Sequence, residues 1–126
     1  MSHIVIVDDS EEILSVMKYF LELRDYSVTT VDSAAELNTI IQSVTPDLIL
    51  LDIFLNGQDG REVCRQLRRN SATKYLCILM FSASSEALGN YKEYGADGFI
   101  EKPFGLDEVV HKIEQSIEHC KNYHPQ

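Results

Sequence analysis

A chain of 126 residues with 44% hydrophobic side chains is long enough to bury one core, and it leaves little room for a second domain. Its formal net charge of -9 argues against direct binding to nucleic acid, because that binding depends on clustered lysine and arginine side chains. No stretch approaches the roughly 20 apolar residues that span a bilayer, and no secretory leader precedes the first apolar run. We therefore expect a cytoplasmic protein without a membrane segment.

The cysteines form no recognisable pairing pattern. Cys64, Cys77 and Cys120 are odd in number and scattered, and no two of them form a CxxC pair. The sequence therefore predicts neither a disulfide framework nor a zinc site, and we expect buried or incidental thiols.

Short apolar runs alternate with amphipathic segments along the chain. The apolar runs predict strands, and apolar side chains at helical spacing predict helices. Ser33 and Glu36 have the spacing of a capping box, which predicts the start of the second helix. In chain order, the predicted elements are a strand at 3–7, a helix at 11–24, a strand at 27–31, a helix at 33–43, a strand at 48–51, a helix around 63–67, a strand at 76–81, a weaker helix at 86–94 that Gly89 interrupts and Gly95 stops, a strand at 99–100 and a helix at 107–120.

Five strand–helix repeats predict an α/β fold with a parallel sheet, because parallel strands need crossover connections and helices usually supply them. We expect a doubly wound five-stranded parallel sheet with helices on both faces, in the flavodoxin-like order 2-1-3-4-5. In such a sheet, ligands bind outside the carboxyl ends of the strands, at the point where the strand order reverses. The first and third strands flank that point, so the residues that follow them are the first candidates for a site.

A charged or hydroxyl side chain stands at the carboxyl end of four predicted strands. These residues are Asp8 and Asp9 after the first strand, Asp52 after the third, Ser82 after the fourth and Lys102 after the fifth. Taken singly, most have an ordinary explanation, because aspartates begin helices, serines lie in turns and lysines lie on surfaces. Asp52 differs, since an ion that follows an apolar run needs partners. Their joint occurrence at one edge of the sheet indicates a site.

Charge indicates the chemistry of this site. Three neighbouring carboxylates repel one another unless a hard cation joins them. Mg²⁺ fits, because it takes oxygen ligands and needs only one or two protein carboxylates beside phosphate oxygens and waters. A carboxylate can also be a nucleophile that forms an aspartyl phosphate, with an ammonium and a hydroxyl group binding the transferred oxygens. The sequence therefore predicts a site for a divalent cation and a phosphoryl group.

Four blocks of the sequence resemble the motifs of one protein family. They are IVIVDDS at 4–10, LILLDIFLNGQDG at 48–60, FSAS at 81–84 and GADGFIEKPF at 95–104. With these blocks in this order, the chain resembles the response-regulator receiver domain of two-component signalling over about residues 3–120. The resemblance implies a receiver domain of the single-domain type at 1–122, followed by a frayed tail at 123–126.

The resemblance implies a role for each acidic residue. Asp52 would accept the phosphoryl group from a phosphohistidine donor and would also be a ligand of Mg²⁺. Asp9 would bind Mg²⁺ directly and Asp8 through water, with the Phe54 backbone carbonyl as a further ligand. The expected cofactor is therefore Mg²⁺.

The resemblance also implies how the phosphoryl group would be sensed. Ser82 and Lys102 would bind its oxygens. Phe99 resembles the switch aromatic of the family, which turns inward as the hydroxyl residue moves toward the phosphate. The peptide bond between Lys102 and Pro103 is expected to be cis, a state accessible almost only before proline.

The same resemblance implies partners. The donor would be a histidine kinase or a histidine phosphotransfer protein, and a downstream protein would bind the face formed by the fourth helix, fifth strand and fifth helix. The chain would be a signalling switch that catalyses only its own phosphorylation and dephosphorylation, as a monomer or a phosphorylation-dependent dimer. An alternative is a receiver that belongs to a hybrid kinase or to a longer regulator.

Several positions depart from the usual pattern of the family. Ser82 replaces the usual threonine and Asn56 a frequent proline, while the interval that contains Gly89 is short, which indicates a short fourth helix. Phe54 and Ser84 would flank the path of the hydrolytic water. Neither side chain would orient that water well, so we expect slow self-dephosphorylation.

Three other classes of protein share some of these features. A Mg²⁺-dependent phosphatase would need a second acid–base aspartate just after Asp52 and a cap domain, and the sequence has neither. A flavin electron carrier of the same fold would need a phosphate-binding loop after the first strand, where Asp8 and Asp9 would repel the flavin phosphate. A phosphorylation-independent interaction module would not need the complete set of site residues.

Overall fold

A sheet of parallel strands lies at the centre of the molecule. The computed structural model describes residues 2–102 and 105–123, with the backbone alone at residue 123. In this part of the chain, the strands of the central sheet are β1 (His3–Val7), β2 (Ser27–Val31), β3 (Leu48–Asp52), β4 (Ile78–Ser82) and β5 (Gly98–Glu101). Their spatial order is β2-β1-β3-β4-β5 and all neighbouring pairs are parallel, so the predicted fold and strand order are confirmed.

Helices connect the strands. In the described residues they are α1 (Glu11–Leu23), α2 (Ala34–Ile40), α3 (Gly60–Arg69), α4 (Ser85–Leu88) and α5 (Leu106–Tyr123), with a 3-10 helix at Tyr91–Tyr94. A short antiparallel hairpin pairs Phe54–Leu55 with Gln58–Asp59 between β3 and α3. Within the described residues, no helix combines the length and the apolar character needed to cross a bilayer.

Each face of the sheet has its own core, because alternate residues of a strand point to opposite sides. Val5 and Met80 belong to the core that α2, α3 and α4 cover. Ile4 and Leu79 belong to the core under α1 and α5. Every residue of β3 and β4 is buried, as expected for central parallel strands that are covered on both faces.

The predicted capping box begins α2. The Ser33 hydroxyl oxygen accepts a hydrogen bond from the Glu36 backbone N–H at 3.1 Å, and the Glu36 carboxylate accepts one from the Asp32 backbone N–H at 2.9 Å. The helix ends at Ile40, three residues before the predicted end, and the next residues form turns. The Ser43 hydroxyl donates to the Ile40 carbonyl oxygen, a local bond that competes with helix continuation.

The predicted fourth helix is two separate short elements. α4 ends at Leu88, and the 3-10 helix begins at Tyr91. Gly89 lies between them, as the sequence predicts. Gly95 closes the segment with a φ of 92°, a left-handed conformation that glycine adopts without steric cost.

The expectation of unpaired cysteines is wrong for two of the three. Cys77 and Cys120 form a disulfide, with their Cα atoms 5.8 Å apart. Cys77 immediately precedes β4 and Cys120 lies in α5, and the two are 43 residues apart in the sequence. Because the pairing depends on how α5 packs on the sheet, no local spacing could predict it. Cys64 is a free buried thiol, as expected.

Candidate functional site

The predicted site residues lie at the carboxyl edge of the sheet. Asp52 is the last residue of β3 and Ser82 is the last residue of β4. Asp8 and Asp9 follow β1, and Lys102 follows β5. The parallel register sets these strand ends side by side, and the Lys102 backbone N–H donates to the Ser82 carbonyl oxygen at 2.9 Å. The structure therefore gathers all five residues at one edge.

The three aspartates form one cluster of oxygen donors. One carboxylate oxygen from each of Asp8, Asp9 and Asp52 lies within 4.8 Å of the others. Asp8 and Asp52 are 1% and 5% exposed, and Asp9 is more open to solvent. Ser10 caps α1, so helix capping does not explain the two aspartates after β1. A compact set of carboxylates with one open side suits Mg²⁺, which keeps water and phosphate oxygens among its ligands.

Lys102 supplies positive charge within this cluster. Its Nζ lies 3.2 Å from Asp8 Oδ2 and 3.7 Å from Asp52 Oδ1. The same ammonium lies 4.4 Å from the centroid of the Phe81 ring, which belongs to the buried core. The other Asp8 oxygen accepts a hydrogen bond from the Ser10 backbone N–H at 2.8 Å. Asp8 is thus held from two sides, while Lys102 also reaches the Asp52 carboxylate.

The environment of Asp52 makes its charged form costly. Burial, and next the neighbouring Asp8 charge, raise the pKa of Asp52 from 3.8 to about 6. Lys102 and a hydrogen bond from the Phe54 backbone N–H act in the opposite direction. The raised pKa means that more positive charge is needed to keep this carboxylate ionised, and a divalent cation beside it would supply that charge.

Ser82 connects the site to α4. Its side chain is buried, and its hydroxyl oxygen accepts a hydrogen bond from the Ser84 backbone N–H at 3.1 Å. The Ser84 hydroxyl oxygen in turn accepts from the Ala87 backbone N–H at 3.1 Å and caps α4. A movement of the Ser82 hydroxyl would therefore release an N–H group just before α4.

Phe99 lies on the outer face of β5 and is 39% exposed. Its ring centroid is 5.1 Å from that of Tyr91, with the rings tilted by 56°. Tilted aromatic pairs at this separation are favourable. The predicted switch aromatic therefore faces outward and contacts the 3-10 helix in this structure.

The sequence comparison identifies the family. The family model described as "Response regulator receiver domain" matches residues 4–114. The chain belongs to this family. The nisin biosynthesis regulatory protein NisR of Lactococcus lactis subsp. lactis is 39% identical to this receiver domain over 117 residues, which are 91% of this chain and 50% of NisR. The phosphate regulon transcriptional regulatory protein PhoB of Rhizobium meliloti (strain 1021) is 32% identical over 120 residues, which are 94% of this chain and 53% of PhoB. This receiver domain thus spans about half the length of the curated relatives it matches.

Solved structures agree with this assignment. The response regulator receiver domain protein (CheY-like) from Methanospirillum hungatei JF-1 has a TM-score of 0.87 and 27% identity, and the match covers 98% of each chain. NtrX from Brucella abortus has a TM-score of 0.88 and 27% identity over 97% of this chain and 28% of NtrX. Membership of the receiver family, predicted from the sequence motifs, is therefore confirmed.

Two further predicted site features concern backbone positions. Phe54 begins the hairpin after Asp52, and its backbone N–H is one of the groups that lower the pKa of Asp52. Its side chain is 59% exposed. The peptide bond predicted to be cis, between Lys102 and Pro103, involves a residue that lies outside the described part of the receiver domain.

Sequence reasoning missed the importance of Gly60 for this site. The segment 56–60 forms the turn and the second strand of the hairpin, followed by the start of α3. The Gly60 N–H donates to the Ile53 carbonyl oxygen at 2.6 Å. A β-carbon at Gly60 would overlap the Asp52 carbonyl oxygen. In the sequence, Gly60 follows several turn residues, and this is only a weak signal that its backbone packs against that of Asp52.

Proposed function

We propose that this receiver domain accepts a phosphoryl group on Asp52 from a phosphohistidine donor and thereby switches a partner-binding surface. The observation that carries the proposal is the arrangement of Asp52 beside both a carboxylate cluster and the Lys102 ammonium, 3.7 Å away. The carboxylates suit a divalent cation, and the ammonium suits a phosphoryl group transferred to Asp52, so both groups could bind at the same place.

Each group in the site has a proposed task. A carboxylate oxygen of Asp52 attacks phosphorus, the bond from phosphorus to the donor imidazole nitrogen breaks, and that nitrogen keeps the electron pair. Asp8, Asp9, Asp52 and the Phe54 carbonyl would hold Mg²⁺, which offsets negative charge on the transferred oxygens when bound. Lys102 binds one of these oxygens by a charge-assisted hydrogen bond.

The switch is proposed to begin at Ser82. In this structure the Ser82 hydroxyl accepts a hydrogen bond from the Ser84 N–H. On phosphorylation it would leave that N–H and donate a hydrogen bond to a phosphoryl oxygen instead. Phe99 then turns inward from its contact with Tyr91. The phosphoryl group thereby shifts a pre-existing equilibrium between two arrangements of α4, β5 and α5.

The proposed partners follow from this switch. A histidine kinase or a histidine phosphotransfer protein supplies the phosphoryl group, and a downstream protein binds the α4–β5–α5 face. The receiver domain acts in the cytoplasm, as a monomer or a phosphorylation-dependent dimer, and catalyses only its own phosphorylation and dephosphorylation. We propose that the receiver domain extends to Tyr123, one residue beyond the predicted bound of 122, because α5 ends at that residue.

Intact-mass spectrometry tests the acceptor. After incubation with acetyl phosphate and Mg²⁺, the wild type should gain about 80 Da, the mass of one phosphoryl group. Asp52→Asn and a sample with excess EDTA should show no gain, whereas Asp107→Asn, which alters an exposed carboxyl on α5, should gain mass like the wild type. A gain in Asp52→Asn would overturn the proposal. If the wild type gains nothing from acetyl phosphate or from a panel of phosphorylated histidine kinases, the proposal is also overturned.

We predict that Phe54→Asn shortens the lifetime of the phosphoryl group by about tenfold, which corresponds to roughly 1.4 kcal/mol in the hydrolysis barrier. Phe54 is 59% exposed and lines one surface cavity together with Asp9, so a polar side chain here would lie at the mouth of the site. An amide could orient the attacking water, which a phenyl ring cannot do. The decay of the phosphorylated mass over time gives the rate.

Phe54→Leu is the matched control for that prediction. It also removes the ring, but it adds no hydrogen-bonding group. We expect its hydrolysis rate to stay near that of the wild type. Equal acceleration by leucine and asparagine would show that the ring only shields the site, and the water-orienting explanation would then be wrong.

A further inference from the structure

The disulfide joins α5 to the opposite edge of the sheet from the acidic site. Cys77 directly precedes β4, whereas Ser82 is the last residue of that strand. With a rise of about 3.3 Å per residue, the two ends lie roughly 16 Å apart. On the helix, Cys120 continues the buried stripe of Val109, Ile113 and Ile117. The bond therefore fastens the C-terminal part of α5 without touching the phosphoryl site.

A metal site is the other chemistry that these sulfurs could serve. Asp97 is the third group of this cluster, with its ligand atom within 4.8 Å of both sulfurs. Its Oδ2 already accepts hydrogen bonds from Arg68 Nη2 at 2.7 Å and from the Ile78 backbone N–H at 2.9 Å. A carboxylate held by a guanidinium is a poor third ligand, and the described residues offer no fourth one in this cluster. The disulfide is the better account of the pair.

The two sulfurs can be reached if the end of α5 opens. Cys77 and Cys120 are 3% and 6% exposed in the closed structure. Cys120 lies in the last turn of the described helix, next to the exposed residues Lys121 and Asn122. Helix termini open at low free-energy cost, so a reductant needs only the loss of this turn to reach the bond.

Cys64 provides a contrast within the same chain. It is fully buried in the middle of α3, and burial raises the pKa of its thiol to about 11. Such a thiol is a poor nucleophile, because the thiolate is the reactive form. Among the three cysteines, Cys77 and Cys120 are therefore the pair suited to thiol–disulfide chemistry.

We propose that Cys77 and Cys120 form a reversible disulfide that fastens the C-terminal part of α5 to the sheet, and that dithiol reductants open it while hydrogen peroxide closes it. On closure, the two thiols give two electrons and two protons to one peroxide molecule, which yields the S–S bond and two waters. On opening, one thiolate of the dithiol attacks a sulfur of the bond, and its second thiol displaces the protein thiol. The reductant leaves as a disulfide, and the protein retains two thiols.

A regulatory consequence rests on the proposed function. In a reducing compartment, disulfides are usually transient and serve catalysis or sensing. If α5 forms part of the partner-binding face, the redox state would alter how that face responds to phosphorylation. The acceptor chemistry should stay the same in both redox states, since the pair lies at the other end of β4.

Alkylation and thermal unfolding test the disulfide on the full chain. The protein is treated with hydrogen peroxide or with dithiothreitol under native conditions, denatured, alkylated and weighed. For the wild type we expect one alkylated cysteine in the oxidised sample and three in the reduced sample. For the Cys64→Ala control we expect none in the oxidised sample and two in the reduced sample. The Tm should be about 10 °C lower in the reduced sample, because the bond no longer restricts the unfolded chain. Cys120→Ala should have the lower Tm under both conditions.

Several outcomes would overturn this proposal. Three alkylated cysteines after peroxide treatment would mean that no disulfide forms, and one after dithiothreitol would mean that it is not reversible. An equal Tm for the oxidised and the reduced protein would mean that the disulfide does not stabilise the attachment of α5 to the sheet. A stoichiometric Zn²⁺ retained by the reduced protein would replace the disulfide with a metal site. Phosphorylation by acetyl phosphate is measured in parallel, and its absence in both redox states would count against the Asp52 proposal alone.

Discussion

Gly60→Ala is expected to lower the free energy of unfolding by at least about 3 kcal/mol, a cost typical of severe overpacking. A β-carbon at this position would overlap the Asp52 carbonyl oxygen and lie 2.9 Å from the Asp52 carbonyl carbon and 3.0 Å from Ile53 Cα. All three are backbone atoms, so no flexible side chain can move aside. Helix propensity favours alanine in α3 by only about 1 kcal/mol, so the steric cost dominates. Urea unfolding would measure the loss.

Gly89→Ala is the matched control. Gly89 has a φ of -60°, which alanine adopts freely, and the nearest atoms to an added β-carbon are carbonyl oxygens at 3.4 and 3.6 Å. We expect its stability to change by less than about 1 kcal/mol. If the two variants unfold at the same urea concentration, Gly60 does not approach the Asp52 backbone as closely as described. A folded Gly60→Ala protein should also accept phosphate more slowly, since the acceptor loop must shift.

Periodicity was sufficient to predict the five strands of the central sheet and most of the helices between them, because these elements have local sequence signals. The five apolar runs and the amphipathic segments between them require a parallel sheet covered on both faces, and parallel strands end at a common edge. The convergence of Asp8, Asp52 and Lys102 follows from that topology alone. The family motifs then add the proposed role of each residue.

Contacts that depend on how the helices and loops pack against the sheet could not be predicted. Arg68 would pass for a surface charge at the end of a helix, yet its guanidinium donates to the Gly95 and Leu76 carbonyl oxygens and binds Asp97. It thereby ties α3 to the loop before β5. The pairing of Cys77 with Cys120 is equally non-local. Such contacts are set by how helices pack on the sheet, and no spacing in the sequence encodes them.

Asp52→Asn is expected to raise the free energy of unfolding by about 2–3 kcal/mol near pH 7.5 without metal, as one pKa unit corresponds to about 1.36 kcal/mol. Burial, followed by the charge of Asp8, raises the pKa of Asp52 from 3.8 to about 6. The wild type must therefore ionise a buried carboxyl that resists ionisation. Asparagine has nearly the same shape and no charge, so it removes this cost while Lys102 keeps its contact with Asp8.

The effect should depend on pH in a defined direction. Below about pH 4, Asp52 is protonated in both the folded and the unfolded state and contributes no difference. Between about pH 4 and pH 6, the folded state retains the proton and the unfolded state has lost it, so stability falls as the pH rises. Above about pH 6 the penalty is complete. The gain in free energy of unfolding from Asp52→Asn should therefore be near zero below about pH 4 and reach its maximum above about pH 6.

Urea unfolding of both proteins in EDTA, from acidic to neutral pH, measures this advantage. Asp107→Asn is the control, because its side chain is 86% exposed and its loss should change stability by less than about 0.5 kcal/mol. Mg²⁺ should then stabilise the wild type more than Asp52→Asn, since a cation bound to the folded state offsets the charge that makes ionised Asp52 costly. If Asp52→Asn is no more stable than the wild type in EDTA at neutral pH, then ionised Asp52 does not lower the stability of the folded protein, and the prediction is wrong.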